Sequence, residues 1–226
     1  MPRTILIAVL ISILPCRWCL MGKPFIYIVD DDISICKALT LLLQSHDFRV
    51  ETFARAEDFL AFKHHKAQSC LVLDISLPGI NGLALQDAMA IRALNIPIVF
   101  ITGHGDVPKS VRAIKAGAID FLLKPFTKEK LLDAISLAMV KSKTQNKTED
   151  EVSKIKKCIA TLSPKELEVF HFVAQGLMNK QIASRRGTSL QTIKVHRGRV
   201  MQKMQAKTVT ELIQLAQKAG INSSLD

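Results

Sequence analysis

Two short runs, "CLVLD" at 70–74 and "IPIVFIT" at 96–102, limit the architecture most sharply. Neither alternates apolar with polar residues, as a strand with one wet face would. Continuous apolar runs of this length belong to parallel strands covered by helices on both faces. Three more strand candidates share the same part of the chain: "FIYIVD" 25–30, "RVETF" 49–53 and "IDFLLK" 119–124. Helical patterns fall between them, near 33–45, 55–64, 83–93, 107–116 and 128–141. In the first of these, Ile35, Leu39, Leu42 and Leu43 recur at helical spacing. Five strand–helix units predict an α/β, doubly wound, five-stranded parallel sheet over residues 24–141, with right-handed crossovers.

Beyond this region the pattern changes twice. Residues 142–160, "SKTQNKTEDEVSKIKKCIA", are highly charged and lack aromatics, and read as a linker that is helical in its second half. Residues 161–226 read as a small all-α unit of four helices. "SPKE" 163–166 is a capping box with proline at the first helical position. "NKQIASRRG" 179–187 has Asn179 as the expected cap and Gly187 as the stop, and "SLQTIKVHRGRVMQKM" 189–204 starts from Ser189. "TVTE" 208–211 opens a last helix that ends near Gly220.

Charge follows the same division. The net charge is +11, yet residues 24–140 hold 12 basic and 13 acidic side chains while 161–226 hold 10 and 4. A neutral front and a basic back direct a polyanion such as DNA to the back. The five cysteines are odd in number and irregular in spacing, which argues against a disulfide framework. Cys36 and Cys70 sit in apolar patterns as small core residues, and the Cys16/Cys19 pair has no second pair to complete a zinc site.

Residues 1–23 open with an apolar run from Ile5 to Leu14, too short to span a bilayer comfortably. The preferred reading is a true start at Met21, a few residues before the first strand. A weak membrane anchor and a cleaved signal are the alternatives. The rest of the chain, with unpaired thiols, reads as cytoplasmic.

Ligands of doubly wound sheets sit beyond the carboxyl ends of the strands. That rule collects Asp30 and Asp31 after the first strand, Asp74 after the third, Thr102 after the fourth and Lys124 after the fifth. Three like charges in a row, Asp30 to Asp32, need a cation. Three converging carboxylates without an arginine form a hard-oxygen site suited to Mg²⁺. A hydroxyl and an ammonium at the rim suit the equatorial oxygens of an incoming phosphoryl group. Asp32 is also well explained as a helix cap. His104 reads as a loop residue, His64 and His65 as a solvated helix end, and Gly82 as a tight turn into the next helix.

The pieces "VDDD" (29–32), "LDISLPGINGL" (73–83), "ITGHGD" (101–106) and "FLLKPF" (121–126) resemble, in order and context, the receiver domain of bacterial two-component response regulators. The resemblance implies that Asp74 accepts a phosphoryl group from a sensor histidine kinase. It implies that Asp31, Asp74 and the Ser76 backbone carbonyl hold Mg²⁺, with Asp30 reaching it through water. Thr102 and Lys124 would bind the phosphoryl oxygens, Phe121 would be the switch aromatic, and Pro125 would follow the lysine through a cis bond. A haloacid-dehalogenase-like phosphatase, the enzyme alternative, needs a second aspartate where "DIS" 74–76 has Ser76.

Helices 179–186 and 190–204 have helix-turn-helix spacing. At 100° per residue, Ile193, Val200 and Met204 form an inner stripe, and Lys194, Val195, Gly198, Arg199 and Gln202 face outward. The outer residues suit base edges, with Gly198 allowing close backbone approach. Lys180, Arg185, Arg186 and Lys203 suit phosphates. Arg197 is expected to snorkel or to pair with Glu166 or Glu168. The stretches "LSPKELEVFHFVAQGLMNKQIA" (162–183) and "TIKVHRGRVMQKM" (192–204) resemble the LuxR/FixJ/NarL-type DNA-binding module. That family usually has an apolar residue where Arg185 or Arg186 stands. Together the resemblances imply a phosphorylation-activated transcription regulator and not an enzyme. They also imply a homodimer when phosphorylated, double-stranded promoter DNA as ligand and RNA polymerase as a further partner. The alternatives are a DNA-binding regulator not controlled by phosphorylation and a membrane-tethered one.

Overall fold

A computed structural model describes residues 23–65, 67–103, 105 and 107–221. The apolar extension, Cys16, Cys19, His104 and Asp106 lie outside the described residues. The chain divides into two compact units, at Asn146 and Lys147.

In the first unit the strands are β1 (Phe25–Val29), β2 (Arg49–Phe53), β3 (Ser69–Asp74), β4 (Ile98–Thr102) and β5 (Asp120–Leu123). They form one parallel sheet in the order β2-β1-β3-β4-β5. Every residue of β1, β3 and β4 is buried, as unalternating apolar runs require, whereas edge strand β2 is partly exposed along its length. The helices are α1 (Ile33–Gln44), α2 (Ala56–Ala61), α3 (Gly82–Ile91), α4 (Val107–Lys115) and α5 (Lys128–Ala160). Even-numbered β1 residues Ile26 and Ile28 pack with Leu39 and Leu43 of α1 and Leu131, Ile135 and Met139 of α5. Odd-numbered Tyr27 and Val29 pack on the other face with Phe59 of α2, Leu85 and Met89 of α3 and Ala113 of α4. The period of two divides each strand between two cores. Cys36 and Cys70 are buried core thiols.

Two local expectations change. Helix α2 ends at Ala61, and His64 and His65 do not form a solvated helix end. The chain turns so that the rings of Phe62 and His64 stack edge-on around Tyr27, Phe53 and Phe59. His65 stacks on Phe25 at 4.1 Å and its backbone N–H donates to the Tyr27 hydroxyl. Burial, and next His65, push the His64 imidazole pKa down. Residues 142–160 are helical throughout and belong to α5, because the stretch contains no glycine or proline and many good helix formers.

The second unit holds the end of α5, then α6 (Pro164–Ala174), α7 (Asn179–Arg186), α8 (Leu190–Lys203) and α9 (Val209–Lys218) around Val169, Phe170, Ile182, Ile193, Val200 and Leu212. The Ser163–Glu166 capping box, the Ser189 and Thr208 caps and the left-handed Gly187 stop all form. Asn179 is not the cap of α7. The chain caps at Met178, whose N–H donates to the Gln181 side chain. Asn179 is the first helical residue, and its side-chain oxygen accepts from Arg197 of α8.

One buried polar tie links α6 to α8. Glu166 is 3% exposed, and its Oε2 accepts from Ser163 N–H at 2.8 Å and Lys203 Nζ at 2.6 Å. The Lys203 ammonium, and next the Ser163 N–H, hold its carboxyl down to about 2. A depressed carboxylate contributes stability above its ordinary value of 4.5 and loses it as pH falls toward the folded value. Amide hydrogen exchange of the full chain is therefore expected to show α6 and α8 losing protection across that acid window. Glu166→Gln, which removes the titrating group, is expected to abolish the pH dependence at a lower overall protection.

Candidate functional site

The sheet order reverses direction between β1 and β3, which opens a crevice at their carboxyl ends. Parallel pairing brings the ends of β1, β3, β4 and β5 to one edge. Asp30 and Asp74 there are 1% and 4% exposed. The Lys124 ammonium, arriving from the end of β5, bonds Asp30 Oδ2 at 2.7 Å and Asp74 Oδ1 at 3.1 Å. Lys124 is fixed in turn by its own N–H donating to the Thr102 carbonyl at 2.7 Å. Thr102 is 2% exposed at the end of β4, and Phe121 is half-buried against the core. The Lys124–Pro125 bond is cis.

The aspartate triplet does not act as one group. Asp30 turns inward to Lys124 and its Oδ1 accepts the Asp32 N–H. Asp32 turns onto α1, where its side chain accepts from Ser34 and Ile35 N–H as the N-cap. Asp31 is exposed. In the folded chain the first cation that answers the buried charge is thus Lys124. Burial raises the Asp30 pKa against the opposing effect of Lys124. Burial works against the Lys124 charge too, yet its bonds to Asp30 and Asp74 outweigh it and raise its pKa.

Ser76 is exposed, and its N–H holds Asp74 Oδ2 at 2.8 Å. Gly82, expected as a turn residue, has another reason to lack a side chain. It sits at the start of α3, packed against β3, where a β-carbon would collide with the Asp74 carbonyl oxygen and the Ile75 α-carbon. The signal was the glycine itself, but only the packing shows that it protects the backbone of Asp74. Among the described residues no group of three or more acidic, histidine or cysteine side chains is set to hold a metal. The donor chemistry still fits a hard divalent ion. The Asp30 and Asp74 oxygens each accept one bond, so each keeps a lone pair, and exposed Asp31 adjoins them.

In the second unit, Ile193, Val200 and Met204 are buried, and Lys194, Val195, Gly198, Arg199 and Gln202 are exposed on α8, with Lys180 exposed on α7. The Lys203 ammonium is held by Glu166 and by the Thr161 carbonyl at 3.0 Å, which ties α8 to α6 while the side chain stays partly exposed. Arg197 bonds Asn179 and not Glu166 or Glu168. Arg186 pairs with Glu168 of α6. Arg185 is exposed.

Removing Lys124 would leave two buried carboxylates facing each other. Lys124→Gln is expected to destabilise the first unit by about 3 kcal/mol at neutral pH, measured by urea unfolding in EDTA. Burial already raises the Asp30 pKa against the pull of Lys124, and without the ammonium that opposing effect is lost, so the deficit is present at neutral pH and shrinks as acid protonates Asp30.

Comparison with known proteins agrees with this geometry. Residues 26–136 match the family described as "Response regulator receiver domain", and residues 160–216 match "Bacterial regulatory proteins, luxR family". Nodulation protein W of Bradyrhizobium diazoefficiens is 43% identical over 202 residues, 89% of either chain. Transcriptional regulatory protein FixJ of the same organism is 40% identical over 199 residues, 88% of this chain and 97% of that one. The solved structure of the response regulator StyR superposes with a TM-score of 0.72 at 41% identity, covering 87% of this chain and all of that one. A parallel sheet with an acidic crevice, followed by a LuxR-type helical unit and matched along most of its length by such regulators, places this chain in the family of two-component response regulators with a DNA-binding output.

Proposed function

We propose that Asp74 is the phosphoacceptor and that its modification controls how α8 engages promoter DNA. The observation that carries this reading is the buried Asp74 carboxylate with the Lys124 ammonium 3.1 Å away at the ligand edge of the sheet. An Asp74 carboxylate oxygen attacks the phosphorus, and the bond from phosphorus to the donor histidine nitrogen of a sensor kinase breaks. Lys124 moves its bonds to the phosphoryl oxygens, and the Thr102 hydroxyl follows from the adjacent strand end. Asp31, Asp74 and the Ser76 carbonyl would hold Mg²⁺, with Asp30 reaching it through water. The ion supplies charge neutralisation for the transferring group. Beyond this self-catalysed transfer and self-catalysed dephosphorylation, in which water attacks the phosphorus and releases inorganic phosphate from Asp74, no enzymatic turnover is proposed.

The redistribution of Lys124 and Thr102 biases the surface formed by α4 and β5, with Phe121 as the switch aromatic. Val107, Val111 and Ile114 recur at helical spacing on the exposed side of α4, and Leu123 of β5 is half exposed. Such an apolar stripe supports a homodimer across α4 and β5, which would set two α8 helices on neighbouring half-sites. Lys194, Val195, Gly198, Arg199 and Gln202 would face the bases and Lys180 a phosphate, with RNA polymerase as a further partner. No described helix is long and apolar enough to cross a membrane; a cytoplasmic location is proposed on the likeness to response regulators.

The direct test is labelling by a small phosphodonor with Mg²⁺. The intact chain is expected to gain an acid-stable, alkali-labile label and Asp74→Asn none; label persisting in the variant would reject the assignment. Arg199→Ala is expected to weaken specific binding by about 1–3 kcal/mol in titrations against a selected duplex. Lys203→Ala is expected instead to lower the melting temperature of the second unit, since its ammonium is held by Glu166 and Thr161.

A further inference from the structure

Gly198 stands in the interior of α8, and glycine there is worse for a helix than any residue but proline. Nothing inside the chain requires it. It is absent from the glycines with left-handed backbone, and a β-carbon built on it would meet nothing within 4 Å. The contrast with Gly82, where a β-carbon would collide with the Asp74 backbone, is direct. A bare position that neither conformation nor packing explains points to something that approaches from outside.

The surroundings say what approaches. Gly198 lies on the exposed face with Lys194 one turn before and Gln202 one turn after, both exposed. Val195, three residues back on the same face, is 44% exposed. The resulting gap is therefore flanked by an apolar branched side chain and two side chains able to bond base edges. A phosphate would not be drawn to it, because the N–H groups of a helix interior are already bonded within the helix. The flat polar edges of the bases gain nothing from a backbone that offers no donor. In the major groove the apolar projection is the thymine C5-methyl group.

We propose that Gly198 is a specificity-determining gap in the recognition helix, open so that the C5-methyl of one thymine can seat against the bare backbone beside Val195. This rests on the DNA-binding reading of the second unit. Glycine at this position exchanges helix stability for approach, and even one methyl group on the protein would occupy the same space as the methyl on the DNA.

The test is a methyl exchange. The full chain is used to select duplexes from a randomised double-stranded DNA library. Each thymine of the selected duplex is then replaced in turn by uracil, which removes only the C5-methyl. Gly198→Ala is expected to raise the thermal midpoint, which shows that it folds, while weakening binding to the selected duplex about tenfold. At one position uracil is expected to weaken binding by the unsubstituted chain yet to strengthen binding by Gly198→Ala. Undiminished binding by Gly198→Ala overturns the gap. Weakened binding that no uracil relieves overturns thymine as its occupant. Failure of the unsubstituted chain to select any duplex, both before and after treatment with a small phosphodonor and Mg²⁺, would remove the DNA-binding reading itself, a separate result from either.

Discussion

The Lys124 ammonium between Asp30 and Asp74 is the contact on which the first unit's site depends. Two carboxylates buried at the ends of neighbouring strands repel each other, and burial raises the pKa of Asp30. A lysine delivered from β5 makes the arrangement tolerable and ties the ends of β1, β3 and β5 to one point. The same residue meets the neighbouring strand through its backbone, since the Lys124 N–H donates to the Thr102 carbonyl.

The backbone around this contact is built to hold it. Gly82 lets α3 start directly on the carbonyl of Asp74, and the Ser76 N–H fixes the second oxygen of its carboxylate. Asp32, drawn onto the first turn of α1, keeps the third charge of the triplet out of the crevice and completes the helix that covers β1. Adjacent residues of one type therefore take different places: Asp30 at the strand end bonds Lys124, Asp32 at the helix start caps α1, and Asp31 between them is exposed.

In the second unit the polar side chains divide between holding and reaching. Glu166, Lys203, Asn179, Arg197, Glu168 and Arg186 join α6, α7 and α8 to one another. These ties fix the outer face of α8, where Lys194, Val195, Gly198, Arg199 and Gln202 remain exposed. The proposed base contacts of α8 call for that rigidity, since base recognition depends on the position of a few side-chain ends. Gly198 fits the same division: it weakens the helix locally and is tolerated because the inner side is well anchored.

Strands, helix faces and most caps were legible in the sequence, because period, apolar runs and capping residues act over a few neighbours. The unalternating runs at 70–74 and 96–102 announced buried parallel strands, and the strand-end rule brought Asp30, Asp74, Thr102 and Lys124 to one edge. Which partner each charged group takes was decided only by the tertiary structure. Lys203, on a helix read as basic and outward-facing, takes buried Glu166 as a partner; Asn179 looked like a cap and became an acceptor for Arg197; His64 joined an aromatic cluster. Long side chains reach several ångströms and choose among groups brought close from distant parts of the chain, a choice no local pattern contains. The same holds for the two glycines: the letter is identical at 82 and 198, and only the space around each shows that one yields to the chain's own backbone and the other stands open.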